Sequence, residues 1–189
     1  SVELLVDSGL EDYPSDWSPD GRSIVIERVN KESKIDIMLF SLDDPGEVRP
    51  LVQTPFREGG GKVSPDGRWL AYHSDESGAW EIYVTSMSGQ GRKWQVSTDG
   101  GVYPIWRADG RTLYYQAFGG QVFAAETSSS GETFRVGSVT ALIEGPDPTP
   151  DGYNYAVLPN REKFLTIRGE ESQPHELLNL VVGWTAELQ

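Results

Sequence analysis

Residues 58–63, Glu58-Gly59-Gly60-Gly61-Lys62-Val63, put a lysine behind a glycine run, the composition of a loop that wraps backbone N–H groups around phosphate. That chemistry needs a further glycine five residues before Gly61 and a hydroxyl directly after the lysine. Phe56 and Val63 stand there instead, so the run reads as the approach to an inner strand. The two histidines, His73 and His175, have no neighbouring ligand at metal spacing. His73 alternates with Tyr72 on a strand pattern and is expected to be packed, and His175 follows Pro174 in a polar linker. There is no Gly-x-Ser-x-Gly nucleophile elbow and no kinase set of glycine loop, strand lysine and Asp-Phe-Gly. With no cysteine, thiolate metal sites, disulfides and cysteine nucleophiles are excluded. Asp43-Asp44, Asp75-Glu76 and Asp147 with Asp151 invite a calcium reading, yet no twelve-residue loop with alternating aspartates and a closing glutamate is present. Turn chemistry explains them, as it explains Ser74 to Trp80, which resembles an Asp-box hairpin with the wrong spacing. The residue types therefore predict no catalytic group, no metal ligand set and no cofactor.

Six tryptophans, Trp17, Trp69, Trp80, Trp94, Trp106 and Trp184, could form a sugar-stacking platform. Several recur at the same place in a repeated unit, which points instead to packing between sheets. Sixteen basic against 29 acidic residues leave a formal charge of −13, a field that repels nucleic-acid backbones and anionic lipid surfaces. No apolar run approaches the roughly 18 residues needed to cross a bilayer. The start at Ser1, followed at once by the strand-like Val2 to Val6, suggests a piece of a longer protein.

What must position any site is a unit written three times: Tyr13 to Arg22, Gly61 to Arg68 and Tyr103 to Arg111, each ending in Asp-Gly-Arg. The turn glycines Gly21, Gly67 and Gly110 are spaced by 46 and 43 residues, the length of one four-stranded propeller blade. Within a unit the apolar period is two, as in Trp69-Leu70-Ala71-Tyr72, which fits a pleated surface packed on another sheet. In Pro-Asp-Gly, proline presets the first turn dihedral, aspartate caps the turn and glycine takes the positive φ. The fold expected is a single all-β propeller domain over residues 1–189, of about four blades near residues 14–53, 61–97, 102–143 and 154–184, the strands of the second at Lys62–Ser64, Trp69–Ser74, Glu81–Ser86 and Lys93–Ser97. The last blade is degenerate, with Pro159-Asn160-Arg161-Glu162 in place of the turn, and it is one strand short. A strand over residues 2–6 could complete it and close the ring; an open arc, or one finished by a second copy, is the alternative.

The segment Ser64 to Gly78, then Glu81-Ile82-Tyr83-Val84, then Lys93 to Gly101, resembles TolB-like propeller repeats, also called WD40-like or PD40 repeats. In pattern it is most similar to the propeller regions attached C-terminally to bacterial serine/threonine protein kinases. The resemblance implies a non-catalytic binding or sensor module on the periplasmic or extracytoplasmic side. An accessory propeller of a prolyl-oligopeptidase-like hydrolase is the second possibility.

In such a scaffold the loops leading into the innermost strands gather beside the central channel. Tyr13, Arg57, Glu58, Tyr103 and Tyr153 are the candidate ligand-contacting residues there. The partners expected are a protein, a peptide or a small molecule, with neither nucleic acid nor membrane insertion, and with self-association if the ring is open.

Overall fold

The computed structural model describes residues 5, 7–31, 34–44, 47–89, 92–145, 147, 148, 153, 155–158, 163–169 and 176–181. Every regular element among them is a strand. The first sheet holds β1 (Asp12–Trp17), β2 (Ser23–Asn30), β3 (Lys34–Ser41) and β4 (Val48–Val52). The second holds β5 (Glu58–Val63), β6 (Trp69–Ser74), β7 (Glu81–Ser86) and β8 (Trp94–Gln95). The third holds β9 (Val102–Trp106), β10 (Thr112–Gln116), β11 (Gln121–Ser130) and β12 (Thr133–Glu144). The fourth holds β13 (Tyr155–Leu158), β14 (Lys163–Gly169) and β15 (Glu176–Val181). Strands are antiparallel and follow chain order, so each sheet is a meander, the blade expected from the repeat.

The repeated turn works as its residue types require. Gly67 lies at φ +73° and donates its N–H to Ser64 O at 2.8 Å. Asp66 accepts the Arg68 N–H at 3.1 Å, and the Ser64 hydroxyl takes the Trp69 N–H at 2.9 Å. Asp20 and Asp109 accept the N–H of Arg22 and Arg111 in the same way. The strand expected over residues 2–6 lies outside the described residues save Leu5, as do the turn at 159–162, His175 and Trp184.

Apolar layers separate consecutive sheets. Val25, Ile37 and Leu39 of the first meet Leu70, Tyr72 and Tyr83 of the second. Ile82, Val84 and Trp69 of the second meet Leu113, Tyr115 and Phe134 of the third. Tyr114 and Val122 of the third meet Tyr155 and Phe164 of the fourth. Each fully buried aliphatic side chain contributes about 1.5–3 kcal/mol by leaving water. On the far face of the first sheet, Ile26, Met38 and Phe40 are also buried. Trp17 departs from its expected packing role: it is 54% exposed. Its repeat counterpart Trp106 is partly buried and donates Nε1–H to Lys62 O at 3.0 Å.

The sheets are also laced by polar side chains at one repeated position. Ile24, Leu70 and Leu113 face Trp17, Val63 and Trp106 across equivalent ladders, so Glu27, His73 and Gln116 occupy the same place three residues further on. Glu27 Oε1 accepts the Gly60 N–H of the second sheet at 2.8 Å. His73 Nδ1 accepts the Tyr103 N–H of the third at 3.3 Å. This lacing explains the glycine run that looked like a phosphate loop. A Cβ on Gly60, whose φ is +64°, would stand 2.6 Å from His73 Nδ1, and one on Gly61 would stand 3.0 Å from Val25 Cγ1. Strand β5 carries glycine because its neighbours leave no room for side chains.

Candidate functional site

Inner strands β1, β5, β9 and β13 surround a cavity of about 460 Å3 lined by Asp16, Lys62, Trp106, Tyr153, Tyr155 and Val157, among others. Asp16 Oδ2 accepts the Val63 N–H at 2.7 Å, tying the first sheet to the second. The Lys62 ammonium donates to Ser15 O and sits 5.0 Å from the Tyr153 ring centroid. The Tyr153 hydroxyl lies 3.4 Å from Gly60 O and 3.3 Å from Pro104 O, so this ring bridges the second and third sheets at one end of the cavity. Tyr155 donates to Tyr103 O at 2.6 Å. Burial raises the pKa of both tyrosines well above the ordinary phenol value, so they remain neutral donors.

From Tyr153 an aromatic row runs outward across the sheets. Its ring centroid is 4.9 Å from that of Tyr103, which is 5.4 Å from His73, itself 5.1 Å edge-on from Trp80. Cations close both ends, Lys62 beside Tyr153 and Arg57 with its guanidinium carbon 4.8 Å above Trp80. Arg57 is held there by Asp75, Nε to Oδ2 at 2.8 Å. Tyr103 adopts φ +56°, a left-handed conformation that aims its N–H at His73. Desolvation drives the His73 pKa down to about 3, so the imidazole is neutral and its Nδ1 stays free to accept.

The five residues singled out from sequence are distributed unevenly around this row. Tyr103 and Tyr153 are members of it and Arg57 caps it. Tyr13 is 55% exposed on β1, and its hydroxyl donates to Glu11 Oε2 at 3.2 Å. Glu58 departs from its expected loop position: it opens β5, is fully buried, and accepts a bond from the Thr54 hydroxyl. Its Oε2 has no partner among the described residues, and desolvation followed by the nearby Asp36 carboxylate raises its pKa to about 7. The strand begins earlier than expected because Gly59 to Gly61 continue the ladder through a register shift. Sequence reasoning passed over Asp16, set Trp80 aside with the other tryptophans as packing, and dismissed Lys62 along with the glycine motif that resembled a phosphate loop. Among the described residues, no group of three or more histidines and carboxylates could hold a metal ion. No helix among them is long and apolar enough to cross a membrane.

No protein-family profile matches the chain. An uncharacterized protein of Agrobacterium fabrum is 32% identical over 85 residues, 45% of this chain and 28% of that protein. TolB of Acinetobacter baumannii superimposes with TM-score 0.52 at 18% identity, covering 93% of this chain and 53% of that one. The β-propeller domain of the Trilobed protease from Pyrococcus furiosus, which has an open velcro topology, gives 0.54 at 16% identity over 90% of this chain and 53% of that domain. A Bacteroides uniformis protein assigned as a 6-phosphogluconolactonase gives 0.53 at 18%, over 92% of this chain and 55% of that one. The chain thus spans about half the length of these solved structures and less of the curated relative. These likenesses show one thing, the fold, a β-propeller of the kind seen in TolB.

Proposed function

We propose that this propeller is a non-catalytic binding module whose contact surface is the end of the axis marked by Tyr13, Arg57, Trp80, Tyr103 and Tyr153. The partner is a protein, a peptide or a small ligand. The observation that carries the reading is the row Trp80–His73–Tyr103–Tyr153 with a cation at each end, a rigid surface offering aromatic faces and positive charge in an acidic chain. Tyr103 and Tyr153 support that surface through bonds between sheets and Glu58 is buried on a bond from Thr54 in the β4–β5 connection, which leaves Tyr13 and Arg57 as the residues most open to a partner. A photo-crosslinking side chain at position 13 or 57 tests this, with exposed Val139 on the outer strand β12 as the control. Adducts from 13 and 57 but not 139 are expected; equal adducts from all three, or none, contradict the assignment.

The chain is read as extracytoplasmic and as part of a longer protein, such as a sensor region of a signalling protein. Burial of both faces of the first sheet supports a ring closed within one chain. A monomer by light scattering is expected, and a concentration-dependent dimer would favour the open arc. The second reading, an accessory propeller of a hydrolase, is supported by the fold shared with a protease propeller. Either way the purified chain is expected to hydrolyse neither peptide nor lactone substrates.

A further inference from the structure

The hairpin ends of the second and third sheets, opposite the aromatic row, enclose a larger cleft of about 900 Å3. Arg68, Trp69, Ser86, Arg92, Trp94 and Glu132 are among its lining residues. Its charge pattern is unusual for a chain of −13. Arg22, Arg28, Arg57, Lys93 and Arg107 each pair with a carboxylate. Arg68 and Arg92, like Arg49, Arg111 and Arg135, form no ion pair among the described residues, and these two line one cleft. Arg68 instead donates to Gly131 O, with its guanidinium carbon 5.6 Å from the Trp69 ring centroid. Beneath it the Trp69 indole N–H is buried, on a residue only 3% exposed, with no acceptor among the described residues. Buried donors are seldom left unmet, and this one lies in the wall of a cleft that already presents two unmatched guanidinium groups.

We propose that this cleft binds an acidic oligosaccharide, a chain of uronate sugars. The two guanidinium groups supply forked N–H donors for a carboxylate, with Arg68 leaving Gly131 O to make that contact and the Trp69 N–H below it as a further donor. Glu132, exposed on the rim, favours an anion that also carries hydroxyls. Its carboxylate repels the dense charge of phosphate or of an acidic peptide's row of carboxylates, whereas the several hydroxyls beside each carboxylate of a uronate sugar can donate to it. Ser86, Ser88 and Thr133 add hydroxyls on the same walls, the first two 2.9 Å apart. Trp94, half-buried and edge-on to Trp69 at 5.4 Å, presents an aromatic surface against which a pyranose face can lie. The volume falls in the range of small-molecule sites, roughly 300–1,000 Å3.

The test is calorimetric titration of the purified chain with trigalacturonate, triglucuronate, the methyl ester of each, inorganic phosphate and a hexapeptide of alternating Asp and Glu. At least one free uronate trisaccharide is expected to bind, with its ester weaker by about tenfold or more, and with phosphate and peptide weaker still. Arg68→Gln and Arg92→Gln are each expected to lose about tenfold in affinity at unchanged melting temperature, and Arg22→Gln none. Glu132→Gln is expected to weaken uronate binding and to narrow the gap to the peptide. Absence of binding by both uronates, equal binding of acid and ester, equal binding of the peptide, or indifference to both arginine substitutions overturns the proposal.

Discussion

His73 and Glu58, in neighbouring strands of one sheet, carry opposite pH dependences that separate on mutation. The imidazole falls from 6.5 to about 3 because it is desolvated, and protonation would also end its bond from the Tyr103 N–H. A lowered histidine pKa means that the unfolded chain takes the proton first, so stability is lost as pH falls below 6.5 towards 3. Between pH 7 and pH 5 the linkage amounts to a loss of about 2 kcal/mol. Glu58 rises from 4.5 to about 7, chiefly through desolvation. A raised carboxyl pKa means that the folded chain holds the proton more tightly, so stability is lost as pH rises from 4.5 to 7. Over the same interval, acidification therefore returns about 2 kcal/mol. Urea unfolding at pH 7 and pH 5 separates the two when each variant is compared with the native chain, where Glu27, its pKa also raised by desolvation, titrates alongside them. Relative to the native chain, His73→Gln, which imports the residue found at the same place in the third sheet, should be more stable at pH 5 than at pH 7 by about 2 kcal/mol. Glu58→Gln should be less stable at pH 5 by a similar amount. Parallel pH responses in the two variants would refute the burial argument for both groups.

Three further outcomes follow from the packing. Gly60→Ala meets both a positive φ and His73 at 2.6 Å, and should lower stability by about 3 kcal/mol or more in urea melts, whereas Gly67→Ala, with open space around its Cβ, should lose about 1 kcal/mol. Leu70→Ala, fully buried between the first two sheets, should lose about 2–5 kcal/mol by calorimetry or denaturant. Tyr153→Phe removes a hydroxyl that bridges two sheets and should lose about 1 kcal/mol, leaving Tyr13→Phe, exposed and, among the described residues, bonded only to Glu11, as the silent control.

The repeat made the blades legible because its turn is written in side-chain types that permit little else. Strands β6 and β7 fall on the residues expected from alternation, Trp69–Ser74 and Glu81–Ser86. Strand β5 starts at Glu58 rather than Lys62, since a glycine run has no side-chain periodicity to reveal a strand, and only its neighbours Val25 and His73 explain it. Strand β8 is cut to Trp94–Gln95, so the expected run over Lys93–Ser97 overstates its ladder. The candidate site was visible only in part. Tyrosines before inner strands drew attention to Tyr103 and Tyr153, but the contribution of Lys62, Asp16 and Trp80 depends on how sheets approach across the axis, which no local pattern encodes. Glu58 shows the converse: a charged residue beside exposed Arg57 reads as surface, yet the alternation of the strand turns it inward.

The radial arrangement of the sheets is tested most directly by proton NMR cross-relaxation on the folded chain. A propeller places the Tyr153 ring against the Lys62 side chain and Tyr155 against Tyr103, so cross-peaks joining these pairs are expected beside those within the second sheet, such as Trp69 to Trp94. If the Trp69–Trp94 peaks are present while Tyr153 shows none to Lys62, the sheets do not converge on a common axis and the account of the site falls with them.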